Sequence, residues 1–385
     1  MRLLIVHNFY LQPGGEDIVF QEESELLRKN GHHILQYTED NKRINQSGQI
    51  SVALQSIWSW ETYSKLKKVI LDDHPDIVHF HNTFPLISPS AYYACKDLKI
   101  PVVQTLHNFR PFCPVAILYR DGAVCEECLN KDFPWPGIRH KCYHDSALQT
   151  GVLSVSILTH NLLKTWHKQV DAFIALTQFS RDKFLQAGFP EEKIFIKPNF
   201  AWDNKLEEAQ RVEKEDFFIY VGRLTQEKGI ATLFSAWDTG KIPIFIFGSG
   251  ELPGMDENEN FRRMNFVDRK TILSYMQRAK ALIFPSEWYE GFPIVIVEAL
   301  ANSLPVITSD IGSQAEIIRD GYSGLHFRSG DTNDLMAKVE WLLEHPNEQL
   351  RMGQNARLEY EKKYTPSRNY EILMEIYQRV LNTEG

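Results

Sequence analysis

Phe217-Phe218-Ile219-Tyr220-Val221-Gly222-Arg223-Leu224-Thr225-Gln226-Glu227-Lys228-Gly229 is the stretch on which the fold turns. An apolar run of strand length passes into a basic loop flanked by glycines, and a helix start follows. The other end of the chain repeats this order, with residues 3–8 running into Pro13-Gly14-Gly15-Glu16. Each reads as the first strand, glycine loop and first helix of a doubly wound unit. Two such openings in one chain predict two Rossmann-like α/β domains facing across a cleft.

Working outward, short β-rich runs alternate with longer amphipathic segments throughout, the pattern of parallel α/β folds. The predicted strands are 3–8, 33–38, 76–82, 102–108, 172–177 and 194–199, then 217–222, 243–248, 264–268, 281–285, 305–309 and 324–327. Many end in Gly, Asn, Ser, Asp or His, which collects polar groups at the carboxyl ends, where open α/β sheets bind ligands. The length of 385 residues exceeds what one core usually supports. The expected division is an N-terminal domain over 1–200, a C-terminal domain over 201–363 and a final helix over 364–385 that crosses back. The linker is expected near 198–211.

Composition narrows the function classes. Hydrophobic residues make up 43% and charged residues 24%, so the chain is neither a disordered nor a collagen-like protein. No apolar run has bilayer-spanning length, the N-terminus has no small-residue cleavage site, and a cytoplasmic location is expected. The net charge of −8 arises entirely after residue 200, and no basic block appears, which argues against nucleic acid as partner. Eleven of the thirteen histidines fall in the first half.

The densest chemical signal is Phe284-Pro285-Ser286-Glu287-Trp288-Tyr289-Glu290-Gly291-Phe292-Pro293, followed by an apolar helix over 294–304 that carries Glu298. Helical side chains lean toward the N-terminus, which aims Glu298 back at the loop holding Glu290. Amides at the helix start suit a phosphate and the carboxylates suit sugar and ribose hydroxyls. The alternative is a surface Glu298 and a turn Glu290. Arg223 and Lys228 supply a fork and a point charge for a diphosphate, with Gly222 and Gly229 admitting close backbone; otherwise they are an ordinary surface pair. Gly248-Ser249-Gly250 adds room and little specificity.

Glu290 and Glu298, seven residues apart, resemble the E-x7-E motif of retaining glycosyltransferases of the GT-B fold, family 4. The resemblance extends to Gly222-Arg223-Leu224 with Lys228-Gly229, to Gly14-Gly15, to Thr105-Leu106-His107 and to Glu316, in order along nearly the whole chain. It implies metal-independent, retaining transfer from a nucleotide diphosphate sugar, UDP favoured over GDP. Arg223 and Lys228 would hold the diphosphate, Glu298 the ribose, and Glu290 with Gly291 and Phe292 the sugar end. His107 would sit beside the reacting centre, Gly14 and Gly15 under the donor phosphate, and Gly248 along the donor. The acceptor would be a glycan or glycolipid. Lys197-Pro198-Asn199-Phe200 lacks the glycine of the family's linker, and Gly250-Glu251 lacks a frequent proline. Two other readings stay open: a GT-B epimerase that needs no acceptor, and a non-catalytic nucleotide-sugar-binding scaffold. A phosphorylase would want a pyridoxal-phosphate lysine, and no lysine here presents itself for that role.

Alternation puts His79 and His81 on the same side of one strand, with packing favoured for His79. His107 ends the next strand, and its intrinsic pKa suits acid–base work. Cys113, Cys125, Cys128 and Cys142 punctuate an insertion over 110–145. They are either a structural zinc set, with His140 and His144 as substitutes, or thiols without metal. The aromatic and basic segment from Ser56 to Lys68, with Trp135 and Trp166, either packs on the sheet or touches a membrane through the N-terminal domain.

Overall fold

The computed structural model describes residues 1–382, apart from 13, 47, 204–213, 238–241, 251–258 and 265–266. Residues 204–211 of the expected linker therefore lie outside the described residues. The chain forms two compact units. The first comprises Met1–Leu118, Glu126–Pro198 and the segment from Tyr370 onward; the second comprises Tyr119–Cys125 and Asn199–Asn369.

The first unit holds a six-stranded parallel sheet of β1 (Arg2–Phe9), β2 (His33–Asp40), β3 (Ile77–Asn82), β4 (Val102–Leu106), β7 (Ala172–Ala175) and β8 (Ile194–Ile196). The strand order is β2-β1-β3-β4-β7-β8, so the winding reverses between β1 and β3. Between β4 and β7 in the chain, the insertion forms a short helix Trp135–Arg139 in this unit and a small hairpin, β5 (Tyr119–Arg120) with β6 (Ala123–Val124), that belongs to the second unit. β3 and β4 are buried at every position, as strands covered on both faces must be. The helix Pro366–Asn382 supplies Leu373, Ile376, Tyr377 and Val380 to the core under this sheet, beside Leu3, Ile5, Phe20 and Val103. Each fully buried aliphatic side chain stabilises by roughly 1.5–3 kcal/mol.

The second unit repeats the plan with β9 (Phe218–Val221), β10 (Ile244–Phe247), β11 (Phe261–Met264), β12 (Leu282–Phe284), β13 (Val306–Ser309) and β14 (Gly324–Phe327). The order β11-β10-β9-β12-β13-β14 reverses between β9 and β12. Of the strand expected over 264–268, residues 265–266 lie outside the described residues, and β11 shares Met264 with it. β11 lies over Phe261–Met264, where Phe261 buries and pairs with Ile244 while two arginines point outward. The helix carrying Glu298 spans Ile294–Ala301, shorter than its apolar run, because Asn302-Ser303 turns the chain and Ser303 adopts φ 55°. No helix among the described residues is long and apolar enough to cross a membrane.

Candidate active site

In the second unit the winding reversal puts the loop after β9 beside the loop after β12. These loops carry the basic pair and Glu290. Their approach depends on glycine at two points. Gly229 has φ +69°, and a Cβ there would lie 1.8 Å from the Pro285 carbonyl oxygen. A Cβ on Gly248 would lie 1.8 Å from the Gly222 carbonyl oxygen, so the loops after β9 and β10 touch backbone to backbone. Tyr220 Oη donates to the Arg223 carbonyl at 2.6 Å and fixes the basic loop from below.

Glu290 is buried, and three donors converge on its Oε1: Lys228 Nζ at 2.6 Å, Ser286 Oγ at 2.7 Å and Trp288 Nε1 at 2.8 Å. The ammonium of Lys228 also stands 5.2 Å from the Trp288 ring centroid. Arg223 is different: its side chain is 54% exposed and reaches Glu227 only at 3.5 Å. Glu298 accepts from Arg269 Nε at 2.6 Å. The two carboxylates thus stand on adjacent elements with a different cation each. Gly291 accepts from Ser313 Oγ at 3.3 Å, Phe292 packs against the core, and Gln314 Nε2 donates to the Trp288 carbonyl at 3.1 Å.

In the first unit Gly14 caps the helix Gly15–Lys29, and open space surrounds the Cα of both Gly14 and Gly15. Asp17 ties that turn down, accepting from Gly14 N at 2.7 Å and contacting His7 Nε2 at 2.7 Å. Glu16 accepts from Asn108 at 2.7 Å and from Tyr10 at 3.0 Å. His81 Nδ1 and His107 Nε2 lie 3.0 Å apart, and both rings line a cavity of about 90 Å³ with Asn108 and Arg110. His79 lies on the same side as His81, ring centroids 4.6 Å apart, bonded to Tyr377 and Thr105. Burial, then His81 and His7, push the His107 imidazole well below its ordinary pKa. His107 follows the end of β4, and the burial of its ring favours the neutral imidazole over the ordinary titration expected for it.

The described groups whose ligand atoms converge within 4.8 Å are Glu23, His79 and His81, rather than the cysteines of the insertion. Cys113 and Cys128 are buried, Cys125 and Cys142 partly so, and Cys125 belongs to the second unit while the other three belong to the first. Sequence reasoning missed Ser286, Trp288 and Arg269, which hold the two glutamates, and Glu23 with Lys197. Glu23 was legible in part. It sits three residues after Phe20 and three before Leu26, on the buried stripe of its helix.

Two family models match the chain: Glycosyltransferase Family 4 over residues 13–201 and Glycosyl transferases group 1 over 203–359. The capsular polysaccharide biosynthesis glycosyltransferase CapM of Staphylococcus aureus is 28% identical over 384 residues, with 94% of each chain covered. The uncharacterized glycosyltransferase MJ1178 of Methanocaldococcus jannaschii is 33% identical over 159 residues, 39% of this chain and 44% of that one. Among solved structures, the HepE protein of Anabaena in complex with UDP superposes with a TM-score of 0.64 at 15% identity, covering 100% of this chain and 99% of that one. With both halves matched by consecutive models and the paired doubly wound units in place, the chain belongs to glycosyltransferase family 4 and has the GT-B fold.

Proposed function

We propose that this glycosyltransferase moves a sugar, with retention of configuration, from a nucleotide diphosphate donor to a glycan or lipid-linked glycan in cell-surface polysaccharide synthesis. UDP is the preferred carrier over GDP. The observation that carries the reading is the Lys228–Glu290 pair at the winding reversal of the second sheet, with Arg223 exposed beside it. Lys228 and Arg223 face the diphosphate and stabilise the charge that gathers on it as the glycosidic bond breaks. Glu290 keeps Ser286 and Trp288 as donors and offers Oε2 to a sugar hydroxyl. Glu298, steadied by Arg269, accepts from the ribose. The acceptor oxygen bonds to the anomeric carbon on the face the phosphate leaves; the phosphate takes the bonding pair and then the acceptor proton. The cations of this step come from side chains, so no metal is required for it. CapM's role in capsular polysaccharide and HepE's UDP complex support the acceptor class and the carrier.

The test is turnover of UDP- and GDP-sugars on a polyprenyl-diphosphate glycan, with and without a chelator, reading the product's anomeric configuration by NMR. Retention with UDP-sugar, unaffected by chelator, is expected. Inversion, or GDP-sugar as the only donor, overturns the corresponding part. Donor conversion without acceptor would favour the epimerase reading, and binding without turnover the scaffold.

The enzyme meets its lipid-linked acceptor on the cytoplasmic face of an anionic membrane. Leu148, Val155 and Leu162 lie seven residues apart on the helix Ala147–Leu162, all exposed, and the exposed cations Lys164 and Lys168 follow. Phosphatidylglycerol vesicles should sediment the wild type and not a Leu148→Glu/Leu162→Glu variant; equal sedimentation contradicts this. A structural zinc on Cys113, Cys125, Cys128 and Cys142 is a separate proposal, decided by metal content of the wild type against Cys125→Ser.

A further inference from the structure

Beneath the first sheet's winding reversal lies an ion pair with almost no access to water. Lys197, fully buried, donates to Glu23 Oε2 at 2.5 Å, and the Glu23 side chain is 1% exposed. Replacing such a pair by apolar groups of equal volume is often neutral or stabilising, so the pair is weak evidence for stability by itself. Its surroundings give it another use. Glu23 Oε1 lies 3.3 Å from both His81 Nε2 and His79 Nδ1, and neither Glu23 Oε1 nor His81 Nε2 enters a hydrogen bond among the described residues, so the carboxylate acts on His81 as a facing charge. Burial alone would raise the Glu23 carboxyl, but Lys197, with His81 and His79, holds it well below the carboxylate range. Glu23 is therefore an acceptor only.

From here the protons follow by counting. Burial keeps His81 and His107 below the ordinary imidazole pKa, so each neutral ring carries one hydrogen. A carboxylate facing His81 Nε2 puts that ring's hydrogen there and leaves Nδ1 as a lone pair. His107 Nε2, 3.0 Å from that lone pair, must then be the donor. The polar atom His107 has left to offer the cavity is Nδ1, a pure acceptor. The remaining polar neighbours do not upset this order. His79 Nδ1 also stands 3.3 Å from Glu23 Oε1, and both its nitrogens are met by the hydroxyls of Tyr377 and Thr105, which donate or accept as required. His7, 6.4 Å from the His81 ring centroid, is engaged with Asp17. Glu23, His79 and His81 converge closely enough to suggest a metal site, but the Lys197 ammonium already takes Oε2 of the carboxylate.

We propose that Glu23 is a positioning residue, which acts through His81 to hold His107 in the Nε2–H form, so that His107 accepts from a sugar hydroxyl in the cavity. The functional half of this rests on the transfer reading above; the proton order does not. A carboxylate that fixes the tautomer of a working histidine is known from serine proteases, where the carboxamide analogue gives the wrong tautomer.

The experiment uses the full chain labelled with ¹⁵N-histidine, with the His107 and His81 rings assigned through His107→Gln and His81→Gln. Long-range ¹⁵N–¹H correlation should show both rings as neutral Nε2–H forms between pH 6 and 8. A His107 ring that is Nδ1–H, or cationic at pH 7, overturns the proposal, and this reading needs no variant that retains folding. The double variant Glu23→Gln/Lys197→Gln, which removes both charges together, should lower kcat/KM about tenfold to a hundredfold. UDP affinity, a property of the second unit, should stay unchanged. Unchanged kcat/KM in a folded double variant whose His107 ring has become Nδ1–H overturns the positioning role. A wild type that shows the Nε2–H forms but transfers no sugar sinks the transfer reading and leaves the proton order standing.

Discussion

In the first unit Glu23 and Lys197 pair in complete burial, beside the buried imidazoles of His79, His81 and His107, the last two stacked. In the second, Lys228 and Glu290 pair with side chains 18% and 7% exposed, and Arg223 lies open to solvent. Both clusters occupy the winding reversal of a parallel sheet. The first is sealed and fixes proton positions; the second is open enough for an incoming anion to compete for its cations. A shared fold position thus supports two electrostatic designs, and burial separates them.

Lysine replacement should break the comparison most sharply. Lys197→Met leaves the buried Glu23 carboxylate without its cation, and should cost about 3–5 kcal/mol of stability in chemical denaturation. Lys228→Met should cost less, about 1.5–3 kcal/mol, because Ser286 and Trp288 still serve the buried Glu290. It should nevertheless lower kcat/KM by about 10²–10³, the usual loss for a group that stabilises leaving charge. A Lys197→Met protein as stable as the wild type would remove the distinction. The glycine contacts give a second, smaller contrast. Gly248→Ala drives a Cβ against the Gly222 carbonyl and should destabilise the second unit by roughly 1–3 kcal/mol, while Gly15→Ala, in the first helical turn, meets open space and should be near neutral.

Acid should separate the units as well. His79, His81 and His107 are held below their ordinary pKa by burial, so the unfolded chain binds protons that the folded one does not. Stability then rises with pH and falls as pH drops below about 6.5, by up to about 1.4 kcal/mol per pH unit for each ring. Glu23 acts in the same direction at lower pH, since its depressed pKa contributes stability that is lost as its carboxylate protonates. Thermal unfolding between pH 8 and 5, followed by hydrogen exchange, should show the first unit failing first; loss of the second unit first would contradict this.

The fold was legible because its signals are local. Strand runs ending in polar loops, and two glycine openings, recur along the chain and need no tertiary knowledge. The candidate site was legible where its residues are neighbours in sequence, as Glu290 and Glu298 are. Arg269 was not, because a basic residue at the start of a helix looks the same whether it meets solvent or Glu298. Lys197 was hidden for a similar reason. It stands 174 residues from Glu23, in a segment that reads as the approach to a linker. Pairings across that distance come from sheet order, and periodicity along one segment carries no trace of them. The start of β11 at Phe261 went unread for a different reason: an edge strand with two outward arginines has only a weak alternation to announce it.

The central claim is that Lys228, Arg223 and the two glutamates form a nucleotide diphosphate site in the second unit. It is tested most directly by thermal stabilisation against UDP, GDP, CDP, dTDP and ADP for wild type, Lys228→Met and Glu298→Ala. At a hundred times its dissociation constant, UDP should stabilise the wild type by about 2.7 kcal/mol and both variants far less. No shift with any diphosphate, or an equal shift in all three proteins, would contradict it.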